Sequence, residues 1–395
     1  MYAKLVSATI NNARVQAFSN PLVAPPPYGF VGGLVIDQEE GVALKRLRQS
    51  RYWQPVDSAR NESAYENLLT GEWAYGGPIY NHFGHFMSEM AHRVLPSLLT
   101  FGPQKTLFVG LRNEGSMSEY NKFPRFMREF AHFFELEPAN IIVVDTASTV
   151  ETLHVIEAGS DFGGGPKAGY LQDLKEFTQR RLRELTPEPR IGGKIYVSRR
   201  NLPVGGSFLG EAYLEEALVN EGFQSFFPEN HTLVEQMNVY AHAEVLVFPE
   251  GSACHGTELL GESMLCKCFL LTRRKDHVDV FSRVLRPRSK EFAVFDSSTS
   301  LGSIVGEKGR VPADHIGVSI YNVNKLVEFF RQHEVAKLHD FTVSGYLRAA
   351  ENDLSRYIFR NLKRDRITSI EDMVILYRNF SEARALIENE DRLKV

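Results

Sequence analysis

Histidine is scarce in this chain, 12 in 395 residues, yet His82, His85 and His92 fall within one short stretch. In a helix turning by about 100° per residue, His82, His85, Glu89 and Arg93 share a sector of roughly 80°. Phe83, Met87, Met90, Val94 and Leu98 occupy another. One sector is apolar, and the other carries two imidazoles, a carboxylate and a guanidinium. Imidazole titrates near neutral pH, and a neighbouring carboxylate orients it and favours its protonated form. The pattern suits a general base at His82, His85 or Glu89, with His85 backed by Glu89 preferred. A solvated helix face is the plain alternative. A metal site from His82, His85 and Glu89 has a spacing that matches no established ligand set, so no metal is expected. Gly84 costs a helix about 1 kcal/mol relative to Ala, which suggests a close approach there.

A second group suits an anion. Val245-Leu246-Val247-Phe248 reads as a buried strand ending in Pro249-Glu250-Gly251-Ser252-Ala253, with a helical pattern from Cys254 to Glu262. Such a corner presents backbone N–H groups with a helix dipole behind them, and glycine admits a ligand close to the backbone. Ser198-Arg199-Arg200 also follows a strand-like run, and arginine pairs side-on with phosphate while staying charged. Strand ends of one parallel sheet converge, so Arg199 or Arg200 and the N–H groups near Ser252 could hold one diphosphate. Glu235 and Gln236 follow Thr232 at a helix start, where Glu235 completes a capping box. Carboxylates at this rim, Glu235 and Glu250, could accept hydrogen bonds from sugar hydroxyls. His255 reads as a surface histidine on the next helix. There is no Gly-x-Gly-x-x-Gly, Walker motif, Gly-x-Ser-x-Gly or Asp-x-Asp.

The elements that must position these residues alternate. The first 60 residues hold strand-like pieces such as Gly32–Asp37 beside the turn-rich Ala24–Gly29. A helix over Asn81–Leu99 precedes a buried strand at Thr106–Gly110, a helix at Phe123–Leu136 and a strand at Ile141–Asp145. Continuous apolar strands between helices argue for a parallel sheet covered on both faces. A Gly-rich break at 163–166 leads to a charged helix, and the Pro/Gly-bearing stretch 186–193 marks a boundary. The second half runs βαβαβαβ, which places ligands beyond the carboxyl ends of the strands. The expected division is 1–188 (α/β, acceptor side), 189–315 (Rossmann-like, nucleotide-sugar-binding) and 316–395 (a helical extension).

Bulk properties narrow the partners. A net charge of −4 offers no basic field for nucleic acid. Three cysteines without framework spacing suit a reducing compartment, and Cys266-x-Cys268 lacks a second pair for zinc. No leader and no bilayer-spanning run is read, so a cytoplasmic location is expected. Peripheral association with the inner face of a membrane, and self-association, stay open.

Together these stretches resemble glycosyltransferase family 61. The carriers are Asn81-His82-Phe83-Gly84-His85-Phe86-Met87-Ser88-Glu89, Tyr196-Val197-Ser198-Arg199-Arg200, Glu235-Gln236-Met237 and Pro249-Glu250-Gly251-Ser252-Ala253. The resemblance covers roughly residues 78–275, and Glu250 stands where the family has a histidine. It implies an α/β, GT-B-like fold, with two Rossmann-like domains facing a cleft. It also implies an inverting, metal-independent transferase that needs no cofactor. The sugar would pass from a nucleoside diphosphate donor to a glycan or lipid-linked acceptor, as in capsule or other cell-surface polysaccharide synthesis. By this reading His85, Glu89 and His82 activate the acceptor. Ser198, Arg199, Arg200, Glu235, Gln236, Glu250, Gly251, Ser252 and Ala253 hold the nucleotide-sugar. The alternatives are a non-catalytic nucleotide- or glycan-binding protein on the same fold, and a metal-dependent hydrolase using His82, His85 and Glu89.

Overall fold

The computed structural model describes residues 4–18, 32–35, 44, 47–48, 54–55, 65, 67–110, 117–186, 192–202, 206–274, 278–307, 311–312, 316–364 and 366–392. The Ala24–Gly29 turn, the end of the Gly32–Asp37 strand and the centre of the 186–193 boundary lie outside the described residues. The chain forms two compact units. Unit 1 comprises Met1–Pro189, Thr232–Asn238 and His255–Met264, and unit 2 comprises Arg190–His231, Val239–Cys254 and Leu265–Val395.

Unit 1 contains strands β1 (Ser7–Gln16), β2 (Gly33–Leu34), β3 (Asn67–Pro78), β4 (Thr106–Val109), β5 (Ile141–Val144) and β6 (Ser148–Ile156). They form one sheet in the order β2-β1-β6-β3-β4-β5. The strands β6, β3, β4 and β5 are parallel, but β1 runs antiparallel to both β6 and β2, so the expected all-parallel sheet is mixed. The burial pattern shows the difference. β4 is buried throughout, as a strand covered on both faces must be, whereas the first residues of β1 are exposed or half-buried.

The helices of unit 1 include α1 (Phe83–His85), α2 (Val94–Phe101), α3 (Arg125–Phe133) and α4 (Tyr170–Leu185). Aromatic rings lock them together: Phe86 meets Phe130 edge-on at 4.9 Å, and Phe134 stacks on Phe177 of α4 at 5.2 Å. The Arg181 guanidinium donates to the carbonyls of His132 and Phe133, satisfying the last turn of α3. Thr178 donates to the Leu259 carbonyl at 2.6 Å and Glu262 N–H to that of Leu171 at 3.1 Å. These two bonds fasten segment 255–264 along α4.

Unit 2 is built on β7 (Lys194–Val197), α5 (Glu211–Asn220), β8 (Phe223–Phe226), the last turn of α6 (Leu233–His242, whose residues up to Asn238 belong to unit 1), β9 (Val245–Pro249), β10 (Leu265–Leu271), α7 (Val278–Leu285) and β11 (Ser289–Phe295). The five strands are parallel in the order β8-β7-β9-β10-β11. Taken in chain order this is 2-1-3-4-5, a doubly wound arrangement whose topological switch point lies between β7 and β9. A two-stranded pair, β12 (Ser298–Gly302) with β13 (Val318–Tyr321), follows, then α8 (Val323–Gln332), α9 (Val343–Lys363) and α10 (Ile370–Arg392). Tyr196, Val247 and Phe269 of the sheet share one buried cluster with Phe330, Tyr346, Leu354, Leu376 and Phe380 of these helices. The C-terminal helices thus complete the sheet's own core. Among the described residues no helix is long and apolar enough to cross a membrane.

Candidate functional site

The histidine segment of unit 1 is not one regular helix. The α1 turn passes into a π-helical turn at Phe86–Met90, then a 3-10 turn at Ala91–Arg93, then α2. Ser88 Oγ turns back to the Gly84 carbonyl at 2.7 Å, a local bond that competes with regular winding. The expected wheel therefore fails in two places. Arg93 leaves the polar sector and lies in the core, 2% exposed. Its guanidinium stands 5.1 Å over the Tyr75 ring and donates to the Leu44 carbonyl at 2.8 Å. Nor is the other face solvated, because Ser88, Glu89 and His92 are all buried.

The expected pair does form. His85 Nδ1 and Glu89 Oε1 are 2.6 Å apart, with the imidazole about one-third exposed and the carboxylate fully buried. An ionised carboxylate only accepts, so Nδ1 carries the proton and Nε2 becomes the basic lone pair. His82 caps the helix, its Nδ1 accepting from His85 N–H at 3.3 Å, and the two rings lie 4.6 Å apart. Burial, then the neighbouring His85 and His255, push the His82 pKa down. It stays neutral where an ordinary histidine begins to protonate. π turns of this kind often mark functional sites.

Sequence reasoning missed the partners of this cluster. His255 is 7% exposed, not on the surface, and its Nδ1 lies 3.2 Å from Glu258 Oε1. Glu258 Oε2 faces His92 Nε2 at 3.3 Å, and His92 Nδ1 meets the Tyr170 hydroxyl at 3.0 Å. The one sequence signal was the His-x-x-Glu spacing of 255 and 258, which puts both side chains on one face of a 3-10 turn.

In unit 2 the ends of β7 and β9 meet as expected. A Cβ built on Gly251 would lie 1.7 Å from Arg199 Nη1, so only glycine leaves room for the guanidinium. Arg199 is 6% exposed and donates from Nη2 to the Gly206 carbonyl at 3.0 Å. The helix expected from Cys254 is absent. Ser252–Thr257 is a six-residue 3-10 turn, so the argument from a helix dipole at Ser252 does not hold. The positive charge at this corner is carried by its arginines. Ser252 is exposed and Ala253 half-buried.

Acidic groups behind the corner hold these arginines. Glu211 Oε1 accepts from Arg199 N–H at 2.8 Å and from the Tyr196 hydroxyl at 3.2 Å, and burial pushes its pKa up to about 7. Ser198 Oγ donates to Glu215 at 2.7 Å. Arg200 is more exposed, lying 3.5 Å from Glu215 and 5.1 Å over the Phe227 ring. Glu250 is fully buried and accepts from Arg273 N–H, Arg274 N–H and Arg274 Nε at 2.7, 2.9 and 2.7 Å. Arg273 donates to the Gly317 carbonyl at 2.7 Å, and burial, then Arg274, bring its pKa down to about 10. Neither was anticipated, although Thr272-Arg273-Arg274 after β10 repeats the hydroxyl-Arg-Arg pattern of Ser198-Arg199-Arg200 after β7.

Two expected residues are engaged elsewhere. Glu235 closes its capping box, accepting from Thr232 N–H at 2.8 Å while Thr232 Oγ1 accepts from Glu235 N–H at 3.1 Å. Gln236 is buried on α6. A cavity of about 580 Å³ opens beside Arg200, lined also by Tyr213, Glu216, Ser225, Asn352 and Arg356. Among the described residues no group of three or more His, Cys, Asp or Glu is placed to hold a metal ion. Burial lifts the Cys254 thiol to about 12, which keeps it protonated and unreactive.

The family model described as Glycosyltransferase 61 matches residues 83–261. That span holds His85, Glu89, Arg199, Glu250, Gly251, His255 and Glu258, while His82, Arg273 and Arg274 lie outside it. No curated protein matches the chain. Over residues 83–261, a little under half of its length, this chain is similar to the glycosyltransferase 61 family.

Proposed function

We propose that the protein is an inverting glycosyltransferase of GT-B type, moving a sugar from a nucleoside diphosphate donor to a glycan or lipid-linked acceptor. Unit 2 would bind the donor and unit 1 would activate the acceptor. The observation that carries this reading is Arg199 seated on Gly251 at the switch point of a parallel sheet. Nucleotides bind such folds at that point, outside the carboxyl ends of the strands. Arg199, with Arg273 and Arg274 nearby in the sheet order, would neutralise the leaving diphosphate as charge develops. The cavity beside Arg200 has a volume in the usual range for a small-molecule site, of the size a nucleoside needs.

In the proposed step His85 Nε2 removes the proton of the acceptor hydroxyl. The oxygen attacks the anomeric carbon from the face opposite the diphosphate, and the bond to the diphosphate oxygen breaks with its electron pair. Glu89 steadies the imidazolium that results. The three free cysteines suit a reducing compartment, and we place the enzyme in the cytoplasm, working towards a cell-surface polysaccharide.

A second reading is a non-catalytic nucleotide-binding protein. It draws on Glu250, whose carboxylate is already occupied by Arg273 and Arg274. Incubation with a panel of nucleotide-sugars, with and without simple glycan acceptors, separates the two. Transfer with inverted configuration supports the first reading. Binding without any turnover or donor hydrolysis supports the second.

A further inference from the structure

Among the described residues eleven large hydrophobic side chains are exposed, and six of them crowd into the stretch from Phe359 to Tyr377. Single exposed apolar residues are ordinary, whereas a contiguous group marks an interaction surface. The last turns of α9 and the first turns of α10 carry this group, and only six residues, 364–369, join the two helices. The joint is tied down: Arg366 N–H donates to the Asn361 carbonyl at 3.1 Å and Thr368 N–H to that of Ile304 at 2.9 Å. Both helices turn their other face to the core of unit 2, through Leu354, Tyr357 and Ile358 of α9 and Leu376 and Phe380 of α10. On α10, at about 100° per residue, Ile370, Val374 and Tyr377 fall within about 60° of one another, away from that core. Ile370 is 71% and Val374 62% exposed, and across the joint Phe359 is 59% and Leu362 53% exposed.

The charge around these side chains has one dominant sign. From Arg356 to Arg378 the sequence has six Arg and Lys against three Asp and Glu, in a chain whose net charge is −4. Arg356 lies 3.5 Å from Asp353 and Arg378 lies 4.0 Å from Glu382. Arg360, Lys363, Arg364 and Arg366 are exposed, and among the described residues no ion pair holds them. Lys363 Nζ stands 5.1 Å over the Phe359 ring, so charge sits directly beside apolar surface. Of the acids, Asp372 accepts from the Thr368 and Ser369 hydroxyls, and Glu371 is exposed.

We propose that this end of α9 and α10 docks on an anionic phospholipid surface. Phe359, Leu362, Ile370 and Val374 enter the headgroup region, and Arg360, Lys363, Arg364 and Arg366 meet lipid phosphates. Such binding combines removal of apolar side chains from water with attraction of cations to a negative leaflet, and this face carries the groups for both. Long Arg and Lys stems lie along apolar surface while their charged ends stay at headgroup level. Charge selects lipid over a second copy of the chain. Two copies joined symmetrically through this face would set one group of unpaired cations against another, whereas anionic lipid neutralises them. The inference concerns α9 and α10 alone and stands apart from donor binding at Arg199 and from the transferase reading.

Flotation of the full-length protein with lipid vesicles tests the surface without any substrate. The vesicles are phosphatidylcholine alone, or phosphatidylcholine with about one-third phosphatidylglycerol. The expected result is binding to the anionic vesicles only, weakening as salt rises from about 0.1 to about 0.5 M. Arg360→Gln, Lys363→Gln and Arg364→Gln combined should cut that binding by about tenfold or more, since each cation near such a surface contributes about fivefold. Leu362→Ser with Val374→Ser should also cut it by about tenfold or more, through lost apolar contact. All five positions are exposed, so both variants keep the fold. No binding to anionic vesicles, equal binding to both vesicle types, or unchanged binding in either variant overturns the proposal. So does a wild type that ignores vesicles and sediments as a dimer, with Leu362→Ser and Val374→Ser making it a monomer; the face then belongs to a second copy. Sugar transfer without vesicle binding removes this surface and leaves the transferase reading, and vesicle binding without transfer does the reverse.

Discussion

Arg199 packs so closely on Gly251 that a methyl group there would overlap its guanidinium, at 1.7 Å from Nη1. The first prediction follows directly. Gly251→Ala should displace the guanidinium from its place beside the Gly206 carbonyl. The clashing atoms are the far end of a flexible side chain, so folding should lose only about 1 kcal/mol while nucleoside diphosphate binding is strongly weakened. Thermal melts with and without ligand check both halves. Unchanged ligand response in the alanine variant counts against the seat.

His85 and Glu89 touch at 2.6 Å, and the account makes one the base and the other its support. His85→Ala should cut kcat by about 10²–10⁴-fold with little change in donor affinity. Glu89→Gln, which keeps the shape, should produce a smaller loss and move the acid limb of the pH–rate profile to lower pH. Full turnover in both variants removes the assignment.

Glu250 is buried under three hydrogen bonds from Arg273 and Arg274. Glu250→Ala leaves the Arg274 guanidinium without its carboxylate and the N–H groups of Arg273 and Arg274 without an acceptor, and breaking a buried pair costs about 3–5 kcal/mol. Chemical denaturation should show a loss of that order. A change below about 1 kcal/mol would mean that the pair contributes little to folding.

Glu211 gives a pH-dependent signature. Burial raises its pKa from the ordinary carboxylate value of 4.5 to about 7, above the unfolded-state value. Because the folded pKa is the higher one, the folded chain binds more protons in between. The contribution to stability is therefore complete below about pH 4.5, declines as pH rises, and is lost above about 7. The span corresponds to roughly 3 kcal/mol. Glu211→Gln should remove this decline, so the melting temperature of the wild type should fall relative to the variant between pH 5 and 8. Parallel curves contradict the assignment.

The parts of this fold legible in the sequence were those carried by local pattern. Val245–Phe248 is a continuous apolar run because a parallel strand is covered on both faces, and the Glu250-Gly251-Ser252 end announces a turn. The Thr232–Glu235 capping box is a four-residue signal, and it formed. What periodicity could not carry was anything set by distant partners. The antiparallel pairing of β1 depends on β6, about 140 residues away. Arg93 left its expected face because a π turn shifted the winding and Tyr75 offered a ring. His255 reads as a surface residue for the same reason: its carboxylate Glu258 is local, whereas the fastening of its segment to α4 through Thr178 is not.

The central claim is that Arg199 at this corner binds a diphosphate. The direct measurement is the melting temperature of wild type and Arg199→Gln across a series of nucleoside diphosphates and nucleotide-sugars. A ligand at about 100 times its Kd stabilises the folded state by about 2.7 kcal/mol. At least one nucleotide should raise the wild-type melting temperature and leave Arg199→Gln unmoved. A wild type that responds to none of them, or a variant that responds equally, contradicts the account.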